Sequence, residues 1–269
     1  MTQEKHKLFK IGAAISYVAM IVTNGLANGL PLNNRTTGEI SEAYPNLFTP
    51  AGVTFSIWGL IYLLLAVYVI LQFIPLGKKL IRGEIFTKLN PYFIITSVLN
   101  ISWIFAWHYD FIFLSLIIML ALLVSLIKIA DILRASKFSD VEKIAVRLPY
   151  SIYFGWITVA TIANVSVLLV SLNWQGFGLS DELWLVVVLL ISVGIGVWRM
   201  KRDNNIPYGL VFIWAYLGIL IKHLHPEGYN GEYSYAISTL IFCIYLFIVS
   251  QVKLAQEKES FLDRVKDSF

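Results

Sequence analysis

Eight long apolar runs divide the chain: Phe9–Leu30, Ala51–Ile74, Tyr92–Tyr109, Phe111–Leu133, Leu148–Leu172, Leu183–Trp198, Pro207–Ile221 and Tyr233–Val252. A membrane-crossing helix needs roughly 17–25 mainly apolar residues, and six of the runs meet that length. The sixth and seventh have 16 and 15 residues. Joining those two as a re-entrant hairpin would sink Arg199, Lys201, Arg202 and Asp203 into hydrocarbon, which is costly. Two short spans are therefore expected. A soluble domain carries about 25% charged residues, whereas this chain carries 14% and is 58% hydrophobic. The expected fold is an all-α polytopic membrane protein of about eight transmembrane helices.

The basic residues set the orientation. Of 21 Lys and Arg, 19 fall in the N-terminus, in every second loop, at the basic end of the fourth run or in the C-terminus. Only Arg35 and Lys222 lie on the other side. Basic residues collect on the cytoplasmic side of inner-membrane proteins. Both termini are thus expected in the cytoplasm and the protein in the cell inner membrane, with the bilayer as its first partner. No basic stripe interleaved with aromatics marks a nucleic-acid surface. A first run this long, with no cleavage site, reads as an anchor and not as a signal peptide. Cys243 is the only cysteine, so no internal disulfide or cysteine metal cluster exists.

Chemistry-bearing side chains are sparse inside the runs. Lys128 and Asp131 are three apart near the basic end of run four and are expected to pair and snorkel. No Asp, Glu, His or Arg lies in mid-run, which argues against a proton-coupled pump. His223 and His225, near Glu227, do not share a helix face, and no metal site is expected there. No nucleophile–base pair suggests catalysis.

Aromatic and amide side chains dominate instead. Trp58 and Tyr62 are four apart and share a helix face. Asn100 and Trp103 are three apart, with Trp107 one turn on. Tyr150, Tyr153 and Trp156 follow Pro149, with Thr161 and Asn164 deeper. An Asn in hydrocarbon needs a partner, so Asn100 and Asn164 are expected to point into the bundle and lock helices or orient a ligand edge. Trp184 and Trp198, at opposite ends of run six, suit interfacial belts. For Trp58 and Trp156, periodicity leaves belt and pocket open. Gly25 and Gly29, with Asn24 and Asn28, form a close-packing face toward a neighbouring span or a second copy in a homodimer. The charged tail, 253–269, reads either as a short surface helix with Leu254, Phe261, Leu262 and Val265 on one face or as a frayed solvated segment.

The order of these motifs resembles the TspO/translocator-protein family, also called tryptophan-rich sensory proteins. The resemblance rests on Pro45–Gly52 with Phe55-x-x-Trp58-x-x-x-Tyr62, on Leu99-Asn100-x-x-Trp103, and on Pro149-Tyr150 followed by Trp156 through Asn164. It covers residues 9–174. Phe48 stands where the family has Trp, Ala51 replaces its second Pro, and Trp156 follows Pro149 by seven residues instead of four.

The resemblance implies a five-helix bundle over 1–174, three additional helices over 175–252, and a cytoplasmic tail over 253–269. It also implies a pocket among spans one, two, three and five, capped by the 31–50 loop. Phe55, Trp58, Tyr62, Asn100, Trp103, Tyr150, Tyr153, Trp156 and Asn164 are the candidate lining. A flat apolar tetrapyrrole, protoporphyrin or haem, is the ligand class the family implies. The alternative is a facilitative carrier for a small apolar metabolite. Broken helices around a midplane site would favour the carrier, and a closed pocket under a lid would favour binding or sensing.

Overall fold

The computed structural model of the chain describes residues 3–30 and 32–266, with side chains for 4–30, 32–77 and 79–257. Its helices are α1 (Gln3–Gly29), α2 (Thr37–Glu42), α3 (Ile57–Ile70), α4 (Pro75–Leu80), α5 (Gly83–His108), α6 (Ile112–Arg134), α7 (Asp140–Glu142), α8 (Leu148–Ser171), α9 (Asp181–Asp203), α10 (Ile206–Leu224) and α11 (Ser234–Lys266). Eight segments are long and apolar enough to cross a membrane. They correspond to α1, α3 with the turn before it, α5, α6, α8 with the turns before it, α9, α10 and α11. The start of α1 and the end of α11 belong to one end of this eight-helix series, called here the basic end.

Local chemistry explains the boundaries. Ser180 caps α9 by accepting from the Leu183 N–H, and Asn205 caps α10 by accepting from the Tyr208 N–H. Pro207 occupies the first turn of α10, where its missing N–H costs nothing. α9 stops at Asn204, which takes the left-handed conformation (φ 48°) that Asn tolerates. The two short runs thus become helices of 23 and 19 residues. α9 carries Arg199, Lys201 and Arg202 inside its last turns instead of in a loop. The C-terminal tail continues α11 without a break to Lys266. Leu254 is buried, while the side chains of Phe261, Leu262 and Val265 lie outside the described residues.

The helix faces turned outward are apolar, as a bilayer requires. On α3 alone Leu60, Leu63, Val67 and Ile70 are exposed, and on α6 Phe113, Leu114, Ile117, Leu120 and Val124. Inside, α1 packs on α5, α5 on α6, α6 on α8, α8 on α10, α10 on α11, and α11 on α9. α3 is held more lightly, between α8 and α1. Close approach uses small residues, since lipid tails offer helices no hydrophobic drive to associate. A Cβ on Gly155 of α8 would sit 2.8 Å from the Tyr208 carbonyl of α10. Glycine therefore lets the seventh span lie directly on the fifth.

At the basic end the charges reach further in than the apolar runs suggest. Arg199 and Asp203, one turn apart on α9, are both buried and paired at 2.6 Å. Arg199 also reaches Asp131 of α6 at 3.1 Å. Asp131 gathers Arg134 and Arg202 at 3.7 Å each, so its partners are arginines and not Lys128. Arg147 donates to the backbone carbonyls of Asp203 and Asn204 at 2.6 and 2.9 Å. The α9–α10 corner is thereby clamped to α6 and to the start of α8.

Candidate functional site

Trp58, in the first turn of α3, is the hub of an aromatic cluster. Tyr62 stacks on it at 5.5 Å and 20°. Trp103 of α5 lies at 6.4 Å. Tyr153 and Trp156 of α8 meet it edge-on at 6.0 and 6.2 Å. Phe55 stands edge-on to Trp156 at 6.1 Å, and Trp107 stacks on Trp103 at 5.4 Å. Spacing produces this convergence. Residues four apart on α3 and three apart on α8 each project to one face, and the faces are opposed.

Asn164 ties three spans together. Its amide oxygen accepts from the Trp103 indole N–H at 3.1 Å, and its amide donates to the Ser115 hydroxyl of α6 at 3.0 Å. Asn100 accepts from Asn24 of α1 at 2.7 Å. Its side chain also lies within hydrogen-bonding reach of the Tyr62 and Tyr153 hydroxyls. The Thr37 hydroxyl and the Trp156 indole N–H are buried without a partner among the described residues. A buried polar group without a partner costs about 1–3 kcal/mol.

Of the nine candidate lining residues, eight surround this cluster. Tyr150 does not reach it. It is buried nearer the basic end against Tyr68, at 5.2 Å, and Phe93, at 6.4 Å. Tyr153 and Trp156, three residues apart, both face Trp58, so the longer spacing after Pro149 adds a ring to the cluster.

Three spaces adjoin it. An inner chamber of about 40 Å³ is bounded by Phe55, Trp58, Trp103, Trp156, Ala163 and Asn164, with Ala215 and Ile219 of α10 closing one wall. A vestibule of about 220 Å³ opens at the far end between Asn46, Phe48, Trp174, Asp181 and Trp184. A groove of about 510 Å³ lies between α1 and α3 and includes Tyr17, Asn24, Asn28, Trp58 and Tyr62. Phe48 lines both vestibule and chamber, while Thr37, Phe55 and Trp58 line both chamber and groove. The vestibule holds Trp184 at 4.8 Å from Trp174, so Trp184 belongs to an aromatic pair. Trp198 is exposed at the basic end, beneath Arg202.

Helix α2 roofs the cluster. Thr36 caps it, and hydrogen bonds from the Thr36 backbone N–H and with its side chain hold the Glu39 carboxyl below its usual range. The Trp107 indole donates to the Thr37 carbonyl at 3.1 Å. Arg35 pairs with Asp110, Tyr44 donates to the same carboxylate at 3.1 Å, and Asn33 donates to the His108 carbonyl at 2.9 Å.

The rest of the roof is fastened by α10, which sequence reading left unassigned. The Gly218 carbonyl accepts from Ala51 N–H at 3.0 Å, and the Trp214 indole donates to the Thr54 carbonyl at 3.0 Å. His223 is buried and its Nε2 lies 3.0 Å from the Leu47 carbonyl. It serves as a loop fastener, and no group of three or more His, Cys, Asp or Glu suited to a metal occurs among the described residues. The small face formed by Ala215 and Gly218 was the available signal for this contact.

α5 and α8 run continuously past the cluster, whereas α3 begins beside it, after the 52–56 turn; Pro91 lies in the early part of α5, toward the basic end. A family model described as TSPO-like protein matches residues 10–253, all eight spans together. No curated protein and no solved structure matches.

Proposed function

The chain belongs to the TSPO-like protein family, and from that premise we propose that it binds a flat, largely apolar ligand at the Trp58 cluster, with a tetrapyrrole such as protoporphyrin as the class. The observation that carries this reading is the half-buried Trp58–Tyr62 stack. It offers flat aromatic surface close to the Tyr153 hydroxyl and the Asn100 amide. Ring pairs of this kind contribute about 0.5–1.5 kcal/mol each beyond area burial. The lid and the unbroken α5 and α8 fit binding or sensing better than a rocking carrier. The excess of basic residues at the end holding both termini supports a cytoplasmic location for that end, in an inner membrane.

The test is a titration of the purified protein in lipid nanodiscs with protoporphyrin, read by saturable quenching of tryptophan emission. Trp58→Ala should weaken binding by at least about twofold to twelvefold, the worth of one lost ring pair. Trp58→Phe should do less, because an aromatic face remains. Trp198→Ala should leave affinity unchanged. Equal effects of Trp58→Ala and Trp198→Ala would refute the assignment.

One observation favours a second reading, facilitated movement of the same ligand. Vestibule, chamber and groove adjoin in series, Phe48 lining the first two and Thr37, Phe55 and Trp58 the last two. Ligand flux across sealed proteoliposomes, compared with Phe48→Ala, separates the two: a carrier is accelerated, and a binding protein shows no flux.

A further inference from the structure

Resting on the ligand-binding reading, we infer that the flat ligand lies in the groove between α1 and α3, entered sideways from the bilayer, and not in the chamber enclosed by α5 and α8. Size is the first argument. Small-molecule sites run about 300–1,000 Å³. The chamber, at about 40 Å³, holds water only, since a water needs roughly 10–15 Å³ of such space. The groove, at about 510 Å³, is in range.

Shape is the second argument. Trp58 and Tyr62, nearly parallel at 20°, make one flat strip along the groove. The chamber side of Trp58 is already taken by Trp103, Tyr153 and Trp156. The facing walls are small. Gly25 of α1, Gly38 of α2 and Gly59 of α3 line the groove, and a Cβ at any of them would meet nothing within 4 Å. The glycine face of α1 is therefore unpacked within the chain and opens onto this groove. α3, the most lightly held span, is the wall that can yield to a rigid ring.

The third argument is a polar group in the groove lining. Asn28 is exposed, and its amide donates to the Asn24 carbonyl at 3.0 Å. No described residue donates to its side-chain oxygen. An acyl chain offers this oxygen no hydrogen bond. A flat amphiphile with a donor at its rim satisfies it while its face covers Trp58 and Tyr62.

Groove-filling and chamber-filling substitutions decide the placement, with protoporphyrin as the probe in nanodiscs. Gly59→Leu and Gly25→Leu enter open space, so both should fold with wild-type thermal stability. Each should weaken binding by about tenfold or more. Ala163→Val, which narrows the chamber, should stay within about twofold. Loss of affinity in Ala163→Val with unchanged Gly59→Leu and Gly25→Leu would overturn the placement but keep the binding reading. Absence of saturable binding by the wild type would overturn both. A second readout is quenching of tryptophan emission by brominated acyl chains. Protoporphyrin should relieve it in the wild type, and a groove that stays filled with lipid at saturating protoporphyrin overturns the placement. A shift from dimer to monomer in Gly25→Leu at wild-type affinity would overturn it too, by making the groove an interface between copies.

Discussion

Gly218→Ala probes whether the seventh span is a working part of the site. A Cβ built at Gly218 lies 1.9 Å from Thr54 Oγ1, 2.7 Å from its Cγ2 and 2.8 Å from its Cβ. Ordinary contact begins at 3.4 Å, so α10 and the 52–56 turn must part by about 1.5 Å (3.4 − 1.9) if Thr54 holds its rotamer. Rotating Thr54 relieves the first two contacts but not the third. Such overpacking costs about 1–3 kcal/mol. The same displacement stretches the 3.0 Å bond from Ala51 N–H to the Gly218 carbonyl out of range. For a chain of this size each kcal/mol shifts the midpoint by about 2–4 °C. Thermal unfolding in detergent, followed by tryptophan emission at one scan rate, should therefore show a drop of about 2–12 °C. The 52–56 turn leads straight into Phe55 and Trp58, so protoporphyrin affinity should fall as well. Adding Thr54→Gly removes the obstructing atoms and should recover at least half of both losses. A Gly218→Ala protein that melts within about 1 °C of wild type, or a loss that Thr54→Gly does not relieve, refutes the reasoning.

Arg199→Met should destabilise the protein by about 3–5 kcal/mol, because it strips Asp203 of its closest partner in a buried setting. The double change Arg199→Met with Asp203→Leu should recover most of that loss, as measured by the same unfolding scan. Asn164→Leu leaves the Trp103 indole N–H without an acceptor and should cost about 1–2 kcal/mol, together with a blue-shifted tryptophan emission. For orientation, a Cys243→Ser background with Ser136→Cys or Glu227→Cys should label differently in intact cells. A membrane-impermeant maleimide should reach Glu227→Cys at once and Ser136→Cys only after lysis, and the reverse pattern would invert the assigned sidedness.

Much of the architecture is legible before any coordinates. Trp58 with Tyr62 and Asn100 with Trp103 carry helical spacing that fixes their common faces, and opposed faces on adjacent spans then have to meet. Span ends were less legible because apolarity stops before the helix does. The sixth run ends at Trp198 by composition, yet α9 continues to Asp203. The i,i+4 spacing of Arg199 and Asp203 was the clue, and Asp131 across the interface makes their burial tolerable. Motif order alone puts Tyr150 in the pocket. Its place on the helix turns it to Tyr68, which needed the relative depth of α3 and α8 to see. The contribution of α10 was hidden for a related reason. Gly218 and His223 act on Thr54 and Leu47, about 170 residues earlier in the chain, and no local pattern announces such a pairing.

The most direct test of ligand binding at the Trp58 cluster is an anomalous difference map from crystals grown with zinc protoporphyrin, collected at the zinc edge. The account predicts one strong peak in the α1–α3 groove, with the ring plane against Trp58 and Tyr62. A peak at the vestibule beside Trp174 and Trp184, or at the Trp198 belt, with none near Trp58, would contradict it.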